Sequence, residues 1–237
     1  MESILIVGVI TLLAGLAMPL GAVLASIEDI QSDWLKNEFR HGVMAFGGGA
    51  LLSAIALVLV PEGIQHLNPL WAALCFMAGG LAFMALDIVL NRIKTQASQL
   101  AAMLADFIPE SIALGAAFAA DSAQAYLLAL LIGLQNLPEG FNAYRELNAA
   151  GSLKPSKAIL IFVSMALLGP IAAIAGFLWL ADMHLSISVI MLFAAGGILY
   201  SIFQDIAPQV KLEAHYAPPL GAILGFVLGL VGFMLTR

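Results

Sequence analysis

The chain has 237 residues, of which 62% are hydrophobic and only 10% charged, with a formal net charge of -6; its mean hydropathy is +1.02. Soluble domains carry about 25% charged residues, so these values exclude a soluble globular domain and predict a polytopic membrane protein, in which the placement of charge matters more than its sum. The single cysteine, Cys75, excludes an intramolecular disulfide and any CxxC metal site, and reads as a small apolar core residue.

The first stretch, "MESILIVGVITLLAGLAMPLG", carries Glu2 where a signal peptide would carry basic residues, and reads as a retained span. Crossing a bilayer takes about 20 apolar residues. On that criterion spans are predicted over 4–26, 42–60, 70–90, 100–119, 125–143, 157–180, 187–206 and 218–236. The expected fold is therefore an all-α polytopic membrane protein of eight transmembrane helices, one transmembrane domain over 1–237.

The connections set the orientation. Lys36 and Arg40 follow span one, Arg92 and Lys94 span three, Arg145, Lys154 and Lys157 span five, and Lys211 span seven. Eight of the nine basic residues thus fall on one side, and the ninth, Arg237, is terminal. Basic connections stay in the cytoplasm, so both termini are expected outside, in the plasma (inner) membrane if the organism is bacterial.

Spans two and seven resemble each other. "FGGGALLSAIALVLVPEG" from Phe46 aligns without a gap with "FAAGGILYSIFQDIAPQV" from Phe193, pairing Gly49 with Gly196, Leu52 with Leu199, Ile55 with Ile202 and Pro61 with Pro208. Spans one and six match more weakly, "MPLGAVLA" against "GPIAAIAG". Since the paired spans run in opposite directions, residues 1–90 and 157–236 are expected to form inverted three-span repeats flanking a central pair of Pro-kinked helices. Such repeats with broken helices place transporter sites at their interface.

The central pair carries "DFIPES" from Asp106 and "QNLPEG" from Gln135. A carboxylate at bilayer depth costs roughly 2.5–3.5 kcal/mol on insertion scales, so something must offset it. Asp106 lies one turn before Glu110, and Gln135 one turn before Glu139, so each pair shares a helix face. Pro109 and Pro138 remove N–H donors and free carbonyls. Three carboxylates and an amide are expected to converge, with no Lys or Arg in the apolar interior of a span to neutralise them. A divalent cation suits such oxygen donors. The competing reading is a pair of protonated acids hydrogen-bonded across two helices.

With these motifs the chain resembles the ZIP (Zrt/Irt-like) family of divalent metal transporters, along its whole length. The resemblance implies eight spans, outside termini and a metal site on spans four and five formed by Asp106, Glu110, Gln135 and Glu139. "LVPEG" in span two and "AAGGILYSIFQDIAP" in span seven also resemble family patterns. There are departures. Asp106 and Phe107 stand where the family usually has His and Asn, and Gly169 stands where Glu often precedes proline in span six. Each of Phe107 and Gly169 would remove a ligand of the second, adjacent site of binuclear members; Asn136 remains but cannot hold it alone. One metal is expected. Without an imidazole, manganese or ferrous iron gains on zinc and cadmium.

Other polar residues have weaker claims. Asp87, Gln204 and Asp205 either line a cytosolic exit or are solvated helix ends, and Met103 either lends a thioether or packs in the core. Glu62, His66, Asp182 and His184 lie at the outer face, as cation collectors or as ordinary interface residues. "GGGA" and "AAGG" offer small faces for close helix packing or for sliding, as in the elevator-like model proposed for the family, where spans one, four, five and six move against two, three, seven and eight.

The expected function is secondary transport of a divalent cation (Zn, Mn, Fe or Cd) toward the cytoplasm. The metal is substrate, and no organic cofactor is implied. The lipid bilayer is the other partner, nucleic acid is not, and a homodimer is an allowed assembly. No GxxxxGK[ST] loop encodes an ATP drive, and no HExxH or GxSxG marks an enzyme. The alternatives are a metal-dependent intramembrane enzyme and a non-transporting scaffold or receptor.

Overall fold

The computed structural model describes residues 2–27, 38–93, 96–120, 124–149, 154–180, 183–210 and 216–236. Lys36, Lys94, Asp182, Lys211 and Arg237, named above, lie outside the described residues. Among those described there is no strand. The helices are α1 (Glu2–Ile27), α2 (Arg40–Ala54), α3 (Val60–Gly63), α4 (Pro69–Ile93), α5 (Gln96–Ala119), α6 (Ala125–Ala149), α7 (Pro155–Ala166), α8 (Leu168–Leu180), α9 (His184–Ser201), α10 (Ala207–Val210) and α11 (Pro218–Thr236).

Among the described residues six stretches are long and apolar enough to cross a membrane: Ser3–Ile27, Arg40–Gly63, Pro69–Leu90, Pro155–Leu180, His184–Ile206 and Pro218–Thr236. They match six of the expected spans to within a few residues, and they mark an integral membrane protein. The other two expected spans, 100–119 and 125–143, are also helical, as α5 and α6 of 24 and 25 residues. At 1.5 Å per residue each is about 36 Å long, enough to cross, but they carry the acids and amides that lower their hydropathy.

Prolines leave three different marks. Pro19, Pro109 and Pro138 sit inside α1, α5 and α6, which continue through them. Pro170, unable to donate to the carbonyl four residues back, follows a break at Leu167 that separates α7 from α8. Pro61 and Pro208 each follow a π turn, Ile55–Leu59 and Ile202–Ile206. There the ladder widens by one residue, with Val60 N–H donating to the Ile55 carbonyl and Ala207 N–H to the Ile202 carbonyl. The two π turns occupy the positions that the gapless alignment of spans two and seven pairs.

The helices pack in two groups. α1 lies along α6 and along α7 and α8, and α5 lies along α8; α2 lies along α11, α4 along α9, and α3 against α9. The groups are joined by α2 against α6, as extensive as α1 against α7, and by thinner contacts of α5 with α9 and α4 with α5. Within each group small residues set the approach. A Cβ at Gly140 would overlap the Met18 carbonyl of α1, and one at Gly225 would overlap the Phe46 carbonyl of α2. Because Gly140 meets backbone and not a movable side chain, Gly140→Leu is expected to destabilise the fold by about 3 kcal/mol or more. Thermal unfolding in detergent would read this; an unchanged transition would contradict the packing.

Candidate functional site

α5 runs past α6, and the motifs of the two helices meet. Asp106 and Glu110 project from one turn of α5, and Gln135 and Glu139 from one turn of α6, into a cavity of about 250 Å³. All four residues expected to form the site line it, and so do Met103, Asp87 of α4 and Asp205 of the second π turn. Glu110 and Gln135 are buried, at 3% and 6% exposure, while Asp106 and Glu139 are half-buried. Among the described residues no Lys or Arg lines the cavity.

Neutral donors partly satisfy the acids. Gln135 Nε2 donates to Glu110 Oε2 at 2.7 Å, and Ser201 Oγ donates to Asp106 Oδ1 at 2.9 Å. Tyr200 O–H donates to Asp87 Oδ2 at 3.2 Å. Electrostatically the acids act on each other: Glu110 feels Asp106 and Glu139, and Glu139 feels Asp106 and Asp205. Like charges in so poorly solvated a space repel by several kcal/mol unless a cation or protons offset them.

The expected convergence takes the form of a shared chamber. Among the described residues no three His, Cys, Asp or Glu side chains are arranged to hold an ion at one point. Glu110 turns to Gln135, and Asp106 to Ser201. A bound cation would draw the carboxylates inward from these partners. Gln135→Leu, which removes the amide that donates to the buried Glu110 carboxylate, is expected to lower stability by about 1.5–3 kcal/mol, read by thermal unfolding in metal-free detergent.

Two pathway candidates lie elsewhere. Asn136 is fully buried but faces α1, where its Nδ2 donates to the Ala14 carbonyl at 3.1 Å; its Oδ1 has no hydrogen-bond partner among the described residues. Gln204 is exposed and does not line the cavity. Residues one helix position apart thus part company, because Gln135 and Asn136 are separated by about 100° around α6. Sequence reasoning missed Ser201 and Tyr200. Ser201 precedes Asp205 by four residues, the same spacing that linked Asp106 to Glu110, and that signal could have found it.

Beside the chamber, Phe107 and Gly169 form a fitted pair. The Phe107 ring is 1% exposed. Its Cζ stands 2.5 Å from where a Cβ on Gly169 would lie and 2.8 Å from one on Gly15. The ring therefore fills the space between α1, α5 and α8 that a side chain at Gly169 would need.

At the other end of the molecule the rings of His66 and His184 meet with centroids 5.2 Å apart, both residues exposed. Glu62 accepts from Gln65 Nε2 at 2.8 Å. Glu62 belongs to α3 and His184 opens α9, while Gln65 and His66 lie in the connection after α3.

No protein-family model matches the chain, and no curated protein matches it. What the site can do is therefore argued from its own residues.

Proposed function

We propose that this protein is a secondary transporter of a divalent metal cation, moving it toward the cytoplasm through a mononuclear site formed by Asp106, Glu110, Gln135 and Glu139. The observation that carries the reading is the chamber itself: five acids, Asp87, Asp106, Glu110, Glu139 and Asp205, around about 250 Å³ with no basic side chain among the described residues, in a bundle of membrane-crossing helices. Intramembrane acids that face a cavity mark ion pathways. In this reading α5 and α6 are the fourth and fifth of eight spans, and both termini are outside.

Several features support the finer architecture. The π turns Ile55–Leu59 and Ile202–Ile206 fall at paired positions of spans two and seven, as an inverted repeat requires. Helix packing divides into α1, α5, α6, α7 and α8 against α2, α3, α4, α9 and α11, the division of an elevator that carries α5 and α6 past a fixed wall. The motifs "DFIPES" and "QNLPEG" resemble those of the ZIP family. The Phe107 ring fills the room beside the chamber, which favours one metal over two. With carboxylate and amide oxygens as donors, manganese and ferrous iron suit the site as well as zinc or cadmium.

Uptake of radiolabelled manganese or zinc into liposomes holding the purified protein tests this. Saturable uptake above that of protein-free liposomes is expected. Binding without flux would instead make the chain a receptor, and hydrolysis without flux an enzyme.

A further inference from the structure

Outside the chamber, one pair of metal-ligating side chains stands together. The rings of His66 and His184 have centroids 5.2 Å apart and planes tilted by 41°. Neither residue lines the acid chamber. Both are exposed, so their contact buries little surface and contributes little to packing. An aromatic contact alone allows this separation. So does a shared ion. Zinc–nitrogen bonds are about 2.0–2.1 Å, and two imidazoles on one tetrahedral ion therefore hold their ring centres about 5 Å apart.

What favours the ion is the way the main chain presents the two rings. His66 lies in the short connection 64–68 between α3 and α4. That connection is tied at both ends: Ile64 N–H donates to the Val60 carbonyl at 3.1 Å, and Trp71 N–H donates to Asn68 Oδ1 at 3.0 Å. His184 opens α9, and Met183 just before it donates its N–H to the Leu180 carbonyl at 2.8 Å. α3 is seated closely on α9, since a Cβ at Gly63 would lie 2.6 Å from Leu192 Cγ. Fixed backbone thus holds two imidazoles at chelating distance, which lowers the ordering cost of binding. Rotation about each Cβ–Cγ bond, a broad torsion in histidine, leaves the ring centre in place and can swing a nitrogen toward the space between the rings.

The number and type of donors set the kind of site. Among the described residues no third His, Cys, Asp or Glu joins the pair to hold an ion. Water would fill the remaining positions, so the ion would exchange freely, unlike one locked in a four-ligand structural site. Imidazole suits zinc, nickel and copper, whereas manganese binds nitrogen sites most weakly of the first-row divalent ions. We propose that His66 and His184 form an exchangeable two-imidazole site for such a borderline transition-metal cation, Zn²⁺, Ni²⁺ or Cu²⁺. The acid chamber presents carboxylate oxygens instead, so the two places favour different metals. The proposal stands whether or not the chamber carries an ion.

Electron paramagnetic resonance of substoichiometric Cu²⁺ on the purified full chain in detergent tests it. Splitting from two imidazole nitrogens is expected in the unaltered protein. Each of His66→Ala and His184→Ala should abolish that pattern and weaken Cu²⁺ binding on the order of 100-fold, because one anchored ligand raises the effective concentration of the other. His41→Ala should keep the pattern, and so should Glu139→Gln, which separates this site from the chamber. Oxygen donors alone in the unaltered protein would overturn the proposal, as would a two-nitrogen pattern that survives in either His66→Ala or His184→Ala. Should an alanine variant not fold, carbethoxylation of the unaltered protein decides the matter. Zn²⁺ is expected to protect His66 and His184 together over one concentration range, and the same concentrations of Mn²⁺ to protect neither. Protection by Zn²⁺ of only one ring or of none, or equal protection by Mn²⁺, would overturn the proposal.

Discussion

Replacing Glu139 with Gln is expected to reduce divalent-metal uptake by on the order of 100-fold, and Glu110→Gln to do the same. Both side chains line the chamber and supply negative charge that attracts a cation. Gln keeps the shape of Glu, removes the charge and replaces one acceptor oxygen with an NH2 donor. In a site where Glu110 is 3% exposed, that charge is poorly screened, and at an effective dielectric constant near 20 a unit pair at 4 Å is worth about 4 kcal/mol. Misfolding would not account for the loss, because the substitution also relieves the repulsion of Glu139 with Asp106 and Asp205. The metal-free variant should therefore unfold at the same temperature as the unaltered protein or higher. The unaltered protein should gain about 2.7 kcal/mol of stability from metal at one hundred times its dissociation constant, and Glu139→Gln should gain almost none under the same conditions. Unchanged uptake in both variants would remove these residues from the ion's path.

The Phe107–Gly169 pair should show strong coupling. Gly169→Leu alone is expected to destabilise the fold by about 1–3 kcal/mol, because the Phe107 Cζ lies 2.5 Å and the Thr11 Cγ2 3.2 Å from the new Cβ. Phe107→Ala alone should cost about 3–5 kcal/mol, the usual toll of emptying a buried aromatic position. Made together, the two changes should cost well below the sum, since the leucine enters the space the ring has left; contacting residues commonly couple by about 0.5–3 kcal/mol. Unfolding of the four proteins of this cycle in detergent measures the coupling, and simple additivity would show that ring and glycine do not compete for the same volume. The pair also bears on stoichiometry. With the ring in place, saturation of uptake by metal should follow a single-site curve.

Much of this molecule was legible from one dimension. Hydropathy located Ser3–Ile27 and Pro218–Thr236 to within a residue or two of the expected spans, because the cost of burying backbone in lipid leaves a continuous apolar helix as the economical solution. The four-residue spacing of Asp106 with Glu110 and of Gln135 with Glu139 put each pair on one helix face, and all four line the same chamber. The apolar criterion also predicted α5 and α6 as spans despite their acids and amides, and the structure turns Asp106, Glu110, Gln135 and Glu139 of these helices toward a cavity.

By itself the sequence determined the helical class, the membrane-crossing stretches, the proline positions and the faces on which the acids lie, since all of these follow from periodicity and local backbone chemistry. Only the tertiary structure decided which faces meet. It turned Asn136 toward Ala14 while Gln135 reached Glu110, brought Ser201 and Asp205 to the same chamber as Asp106, and fitted the Phe107 ring against Gly169. The reason is geometric. A spacing fixes angles around one helix axis, whereas the contacts between axes depend on how closely small residues such as Gly140 let two backbones approach, and that distance is set by both helices at once.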